Sequence, residues 1–233
     1  MTAAAPDAKP SPLAGLWLGV QRERALIALF ELGRQHSFAL RAARLYAFGV
    51  GFGYAVAIAS VRSGDRHTLV QGFVHAALIA LSWVVGALAA LGTAQVLAKH
   101  ADRDALVALA LQRGVSRASL TRARLLAGAV RIARLIGMPA LCLVAVGVAR
   151  GCSVGWALAV APALVVYASA LGLSLACLAH FSAELAPRHP RAMLAALVLA
   201  PVLISAAYPG LPSLPGLFSG LLERLLDTGA QFS

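Results

Sequence analysis

The chain has 233 residues, is 60% apolar with a mean hydropathy of +0.81, and carries a formal net charge of +11. Soluble globular domains are about 45–50% apolar, so the composition excludes one and fits an all-α polytopic membrane protein, with room for five or six spans of roughly 20 residues and little room for a separate soluble domain. The 20 Lys and Arg fall in alternate loops, which is the positive-inside pattern of a membrane protein rather than a nucleic-acid footprint.

Residues 1–12 are rich in Ala, Pro and Ser and are expected to be disordered. Residues 13–44 carry apolar side chains at helical spacing. Leu26, Ile27, Leu29, Phe30 and Leu32 share one face, and Arg22, Glu23, Arg24, Glu31 and Arg34 hold the other. Such a moment with basic flanks predicts an N-terminal helix lying in the membrane interface. The apolar stretch 13–20 lacks a small-residue cleavage site and reads as part of this segment, not as a signal peptide.

A transmembrane domain is expected over 45–208. Its first span, 45–61, contains Gly49 and Gly53, a small-xxx-small step that lets a second helix approach closely. The second span, 72–98, has His75 near its start and Gln95 near its end, either interfacial polar groups or cavity-lining ones. The third, 125–149, carries Arg131 and Arg134, three residues apart and so on a shared face. A bare guanidinium is costly in hydrocarbon, so these two must snorkel to the interface or line a wet cavity. Pro139 is placed to kink this helix. A short turn at 150–153 leads to a fourth span, 154–179, and a polar loop to a fifth, 192–208.

Residues 209–233 form a Pro-rich segment and an amphipathic tail. The three prolines of 209–216 cannot continue a helix, and 216–227 is too short to span. The tail is read as lying on the outer face or re-entering the bilayer. Cys142 and Cys177 fall inside apolar spans and read as small core residues, and Cys152 falls in the turn. With the N-terminus inside and five spans, only Arg62, Arg66, Arg150 and Arg224 lie outside, leaving sixteen of the 20 basic residues inside. That asymmetry predicts a cytoplasmic N-terminus and an outer C-terminus. The heavy use of Arg over Lys, together with much Ala, suggests a GC-rich bacterial source and hence the bacterial inner membrane.

No catalytic or metal-ligating constellation is visible. There is no G-x-S-x-G, no H-E-x-x-H, no C-x-x-C and no carboxylate inside a span. A proton-driven carrier is disfavoured for the same want of a mid-span carboxylate. No Walker A motif is possible, because Lys9 precedes Pro10 and Lys99 precedes His100. The chain is therefore read as neither an enzyme nor a nucleotide binder, with no cofactor of its own.

The segment 101–128, ADRDALVALALQRGVSRASLTRARLLAG, stands between the second and third spans. Asp102 or Asp104 can cap a short helix over 105–111, Gly114 ends it, and Ser116 can cap the next helix, which carries Arg117, Arg122 and Arg124 into the third span. A basic loop held on anionic lipid is the alternative. The apolar run between Asp104 and Gln112 favours the helix.

This arrangement resembles the membrane subunits of ABC-2-type transporters. The matching stretches are the interfacial helix at 22–36, DALVALAL from Asp104, RGVSR over 113–117 and RLLAG over 124–128. The resemblance implies a permease subunit of an ABC exporter whose coupling region, 101–124, docks on a cytoplasmic P-loop ATPase. ATP and Mg would be held by that partner. Asp102, Asp104, Leu106, Leu109, Arg113, Gly114, Ser116 and Arg117 would form the docking surface. It also implies pairing with a second copy or another permease subunit. Members usually have six spans and only five are found here, so either the tail replaces the sixth or a different membrane subunit completes the unit. The apolar spans suit a lipid-like or amphipathic substrate. A non-transporting scaffold or accessory subunit of a larger envelope complex is the alternative.

Overall fold

A computed structural model of the chain describes residues 37–61, 66–98, 108, 111–112, 115–207, 220 and 224. The described residues are helical, with no strand among them. Helix α1 is Phe38–Ser60. Helix α2, Arg66–Ala80, runs through a π-helical turn at Leu81–Val85 directly into α3, Gly86–Ala98, making one rod. Then come α4, Arg117–Ala149, α5, Val154–Leu185, and α6, Pro190–Ala207.

Four segments among the described residues are long and apolar enough to cross a membrane: Phe38–Ser60, Thr68–Ala98, Arg117–Ala149 and Val154–Leu185. The expected fifth span, 192–208, coincides with α6, an 18-residue helix. The expected interfacial helix at 13–44 lies mostly outside the described residues, as does the tail. Residues 38–44, assigned to that interfacial helix from sequence, form the first turns of α1 instead. Likewise α4 begins eight residues before the expected third span, because Ser116 caps it and nothing between Arg117 and Leu125 interrupts the helix.

The most extensive interface is between α4 and α5. It closes because Gly172 has no side chain: a Cβ there would lie 2.6 Å from the Ala129 carbonyl oxygen. The rod packs on α1, α5 and α6, and α1 packs on α4. Gly92 receives the Leu40 side chain of α1, and Gly51 lies against Pro139 of α4. One continuous apolar core runs from Leu40 through Ile132, Ile136 and Leu143 to Trp156 and Tyr167. Pro139 and Pro162 sit inside unbroken helices. The π turn places Ser82 toward α5, where its hydroxyl accepts a hydrogen bond from Tyr167 at 3.0 Å.

The α4–α5 turn is tight. Cys152 N–H donates to Gly147 C=O at 3.1 Å and Gly151 N–H to Val148 C=O at 3.0 Å, a Schellman closure. Gly151 takes φ +102°, a region that L side chains rarely enter. Arg150 reaches across to α1 and donates to Val61 C=O at 3.0 Å. The Arg150→Gln variant is expected to lose about 1 kcal/mol and to speed amide exchange at the end of α1, as hydrogen exchange with mass spectrometry would report.

Candidate functional site

The coupling region is described only in part. Asp102, Asp104, Leu106, Leu109, Arg113 and Gly114 lie outside the described residues, while Ala108, Leu111 and Gln112 are helical. Ser116 holds extended backbone (φ −69°, ψ 150°), and its Oγ accepts from Ser119 N–H at 3.2 Å. That is the N-cap geometry expected from sequence, and it starts a 33-residue helix with no further break. Ser116→Ala is expected to cost about 1 kcal/mol and to fray the first turn of α4, seen as faster amide exchange at Ser119 and Leu120.

Arg117 and Arg122 are exposed on the first turns of α4. Cations at a helix N-terminus oppose the macrodipole, by about 0.3–1 kcal/mol each. Intrinsic helix stability therefore does not explain them. Arg124, on the same helix, is buried at 8% exposure.

The cavity-lining candidates are not brought together. Arg131 turns into the bundle at 8% exposure, whereas Arg134 faces outward. Their three-residue spacing leaves them about 60° apart around the helix, enough to straddle the edge of the buried face. Gln95 is engaged at the end of α3, where its Oε1 accepts from Arg191 Nη2 at the start of α6. His75 is half-buried near the start of the rod, about 30 Å from Gln95 along it. That separation keeps His75 and Gln95 from sharing one cavity.

Among the described residues, Gly49 and Gly53 meet no helix of this chain. Nothing lies within 4 Å of a Cβ built on either. They open instead into a groove of about 450 Å³ on the outer side of α1, lined also by Leu45, Tyr46, Val50, Tyr54 and Ala57. Among the described residues, the glycines where a Cβ would come closer than 3.4 Å to a neighbour are Gly51, Gly86, Gly92, Gly147 and Gly172.

Two cysteines expected in the core are not there. Cys142 and Cys177 are exposed, and Cys152 is buried in the α4–α5 turn, where burial pushes its thiol pKa up. A raised thiol pKa leaves little thiolate to react. Among the described residues no group of three or more His, Cys, Asp or Glu could hold a metal ion.

Comparison with protein-family models, with characterised proteins and with solved structures returns no match to this chain.

Proposed function

We propose that the chain is the membrane-spanning permease subunit of an ABC exporter. In this reading five helices cross the bacterial inner membrane, the fifth being α6, with the N-terminus cytoplasmic. The segment between α3 and α4 is the coupling element, and a separate cytoplasmic P-loop ATPase holds ATP and Mg. The observation that carries the reading is the construction of α4. Its cap at Ser116 abuts the coupling segment, and the helix then runs unbroken to Ala149. A push on that segment is transmitted as rigid-body displacement of a whole span, which a flexible loop would absorb.

The apolar exposed stripe of α5, with Leu158, Val165, Val166, Leu173 and Phe181, suits contact with lipid acyl chains. The apolar spans favour a lipid-like or amphipathic substrate. The test is affinity purification of the chain from its native membrane in mild detergent, beside Asp104→Arg. A P-loop ATPase is expected with the wild type and at least tenfold less with the variant, as a buried charge reversal of a few kcal/mol at an interface dictates. Recovery of other membrane or envelope proteins without an ATPase replaces this reading by the scaffold one.

A further inference from the structure

We propose that the π turn at Leu81–Val85 is a joint at which α2 pivots against α5, and that the hydrogen bond from Tyr167 to Ser82 is the latch that holds it. This depends on neither an ATPase partner nor the transported molecule.

A π turn carries one residue more than the α turn it replaces, and such turns occur mostly singly and frequently at functional positions. Here Gly86 N–H donates to Leu81 C=O, five residues back, and to Trp83 C=O, three back, in place of the Ser82 C=O that an α-helix would use. No proline or glycine stands between Phe73 and Val85, so the break in the rod is not owed to either of those residues. Leu81 and Val85 are fully buried at the two ends of the turn, and Trp83 and Val84 are exposed between them. The extra residue is thus taken up on the outward side, where the core does not confine it.

The turn also divides the rod's contacts. Its main contact with α5 is made by α3. Directly after the turn, a Cβ on Gly86 would lie 3.0 Å from Leu175 Cδ1 of α5. Before the turn, α2 packs on α1 and α4, and a Cβ on Gly147 of α4 would lie 2.9 Å from Val70 Cγ1. At the turn itself the tie to α5 is polar: Tyr167, buried at 2% exposure, donates to the Ser82 hydroxyl at 3.0 Å. That bond holds the second residue of the π turn against α5, so breaking it frees the turn while α3 stays seated. Leu69 of α2 lies about 18 Å along the helix from Leu81, at ~1.5 Å per residue. A kink of about 20°, of the size that π turns support, therefore moves Leu69 by roughly 6 Å.

The experiment uses the full-length chain in lipid nanodiscs, with Cys142→Ala, Cys152→Ala and Cys177→Ala, spin-labelled at exposed positions and measured by pulsed electron spin resonance. Leu69→Cys/Val165→Cys reports α2 against α5, and Ala87→Cys/Leu158→Cys reports α3 against α5. Wild type is expected to show a main and a minor separation for the first pair and one separation for the second. Tyr167→Phe and Ser82→Ala should each raise the minor population about fivefold, the factor that one hydrogen bond supplies. The double variant should raise it no further, because both changes remove the same bond. Deletion of Val84 takes out the extra residue and should leave a single separation for both pairs. Thermal melts establish that each variant is folded.

One Leu69–Val165 separation, the same in wild type, Tyr167→Phe and Ser82→Ala, overturns the proposal. Equal broadening of both label pairs does so too, since it would mean a loosened bundle rather than a joint. Additive effects in the double variant would remove the Tyr167–Ser82 bond as the latch. Two separations persisting in a folded Val84 deletion would remove the π turn as the joint.

Discussion

Gly172→Val is expected to be the most damaging single substitution in the spans. The first atom of the new side chain would lie 2.6 Å from the Ala129 carbonyl oxygen, 3.0 Å from the Ala133 nitrogen and 3.1 Å from the Ala133 Cβ. Two of those three are backbone atoms of α4, so no rotamer change relieves the overlap, and the helices must separate. Overpacking a well-filled core costs about 1–3 kcal/mol, and the rigid obstacle puts this case at about 3 kcal/mol. Because α4 and α5 form the largest interface of the bundle, loss of cooperative melting in detergent is the outcome to look for. Gly172→Ala already introduces the offending atom and should destabilise too, although replacing glycine by alanine inside a helix ordinarily gains about 1 kcal/mol. Gly49→Ala supplies the opposite sign. With nothing within 4 Å of its new Cβ, it should show that ordinary gain. A melt in which the two alanine variants shift the same way would contradict the packing described above.

Those glycines also show where sequence reasoning reaches and where it stops. Span positions were legible, because hydrocarbon thickness imposes a length on any helix that crosses it. Four expected spans coincide with four helices long and apolar enough. The caps at Ser116 and the sharp 150–153 turn were legible for the same local reason: a side-chain oxygen or a glycine solves a helix-end problem within a few residues. Which glycine faces a neighbour was not. Gly49, Gly51 and Gly53 are equivalent by composition, yet only Gly51 meets another helix, because the choice depends on where α4 lies. The split between Arg131 and Arg134 has the same origin. Contacts between distant residues left no local trace at all. Tyr167 with Ser82, Arg150 with Val61 and Arg191 with Gln95 join residues more than 80 positions apart. The coupling surface was expected from the family resemblance rather than from any local rule, and most of it lies outside the described residues.

Ala127→Pro is expected to separate folding of the bundle from its mechanical use. Ala127 is fully buried in α4, ten residues past the helix start. Proline there deletes one i→i−4 hydrogen bond and drives its ring into the carbonyl four residues earlier, at a cost of about 3 kcal/mol or more. The same helix supplies its own control. Arg117 is the first helical residue and follows Ser116 in extended backbone, with ψ 150°. That position suits proline, whose missing N–H has no intrahelical partner to lose and whose preceding residue prefers an extended conformation. Arg117→Pro should therefore melt within about 0.5 kcal/mol of wild type, allowing for relief of an unfavourable cation at the helix start. Pro139 is no counterexample, since the native packing is built around it, with Gly51 of α1 leaving room against its ring. On the permease reading, Ala127→Pro places a bend between the coupling segment and the membrane-embedded part of α4. The ATPase partner should still copurify, because its docking surface precedes the bend, while ATP-driven movement of the span should fall by about tenfold or more, as a 1.4 kcal/mol loss of coupling requires. A spin-label pair reporting α4 against α5, followed with and without ATP, measures that directly. Unchanged ATP-driven motion in a folded Ala127→Pro variant would remove α4 as the transmitting element.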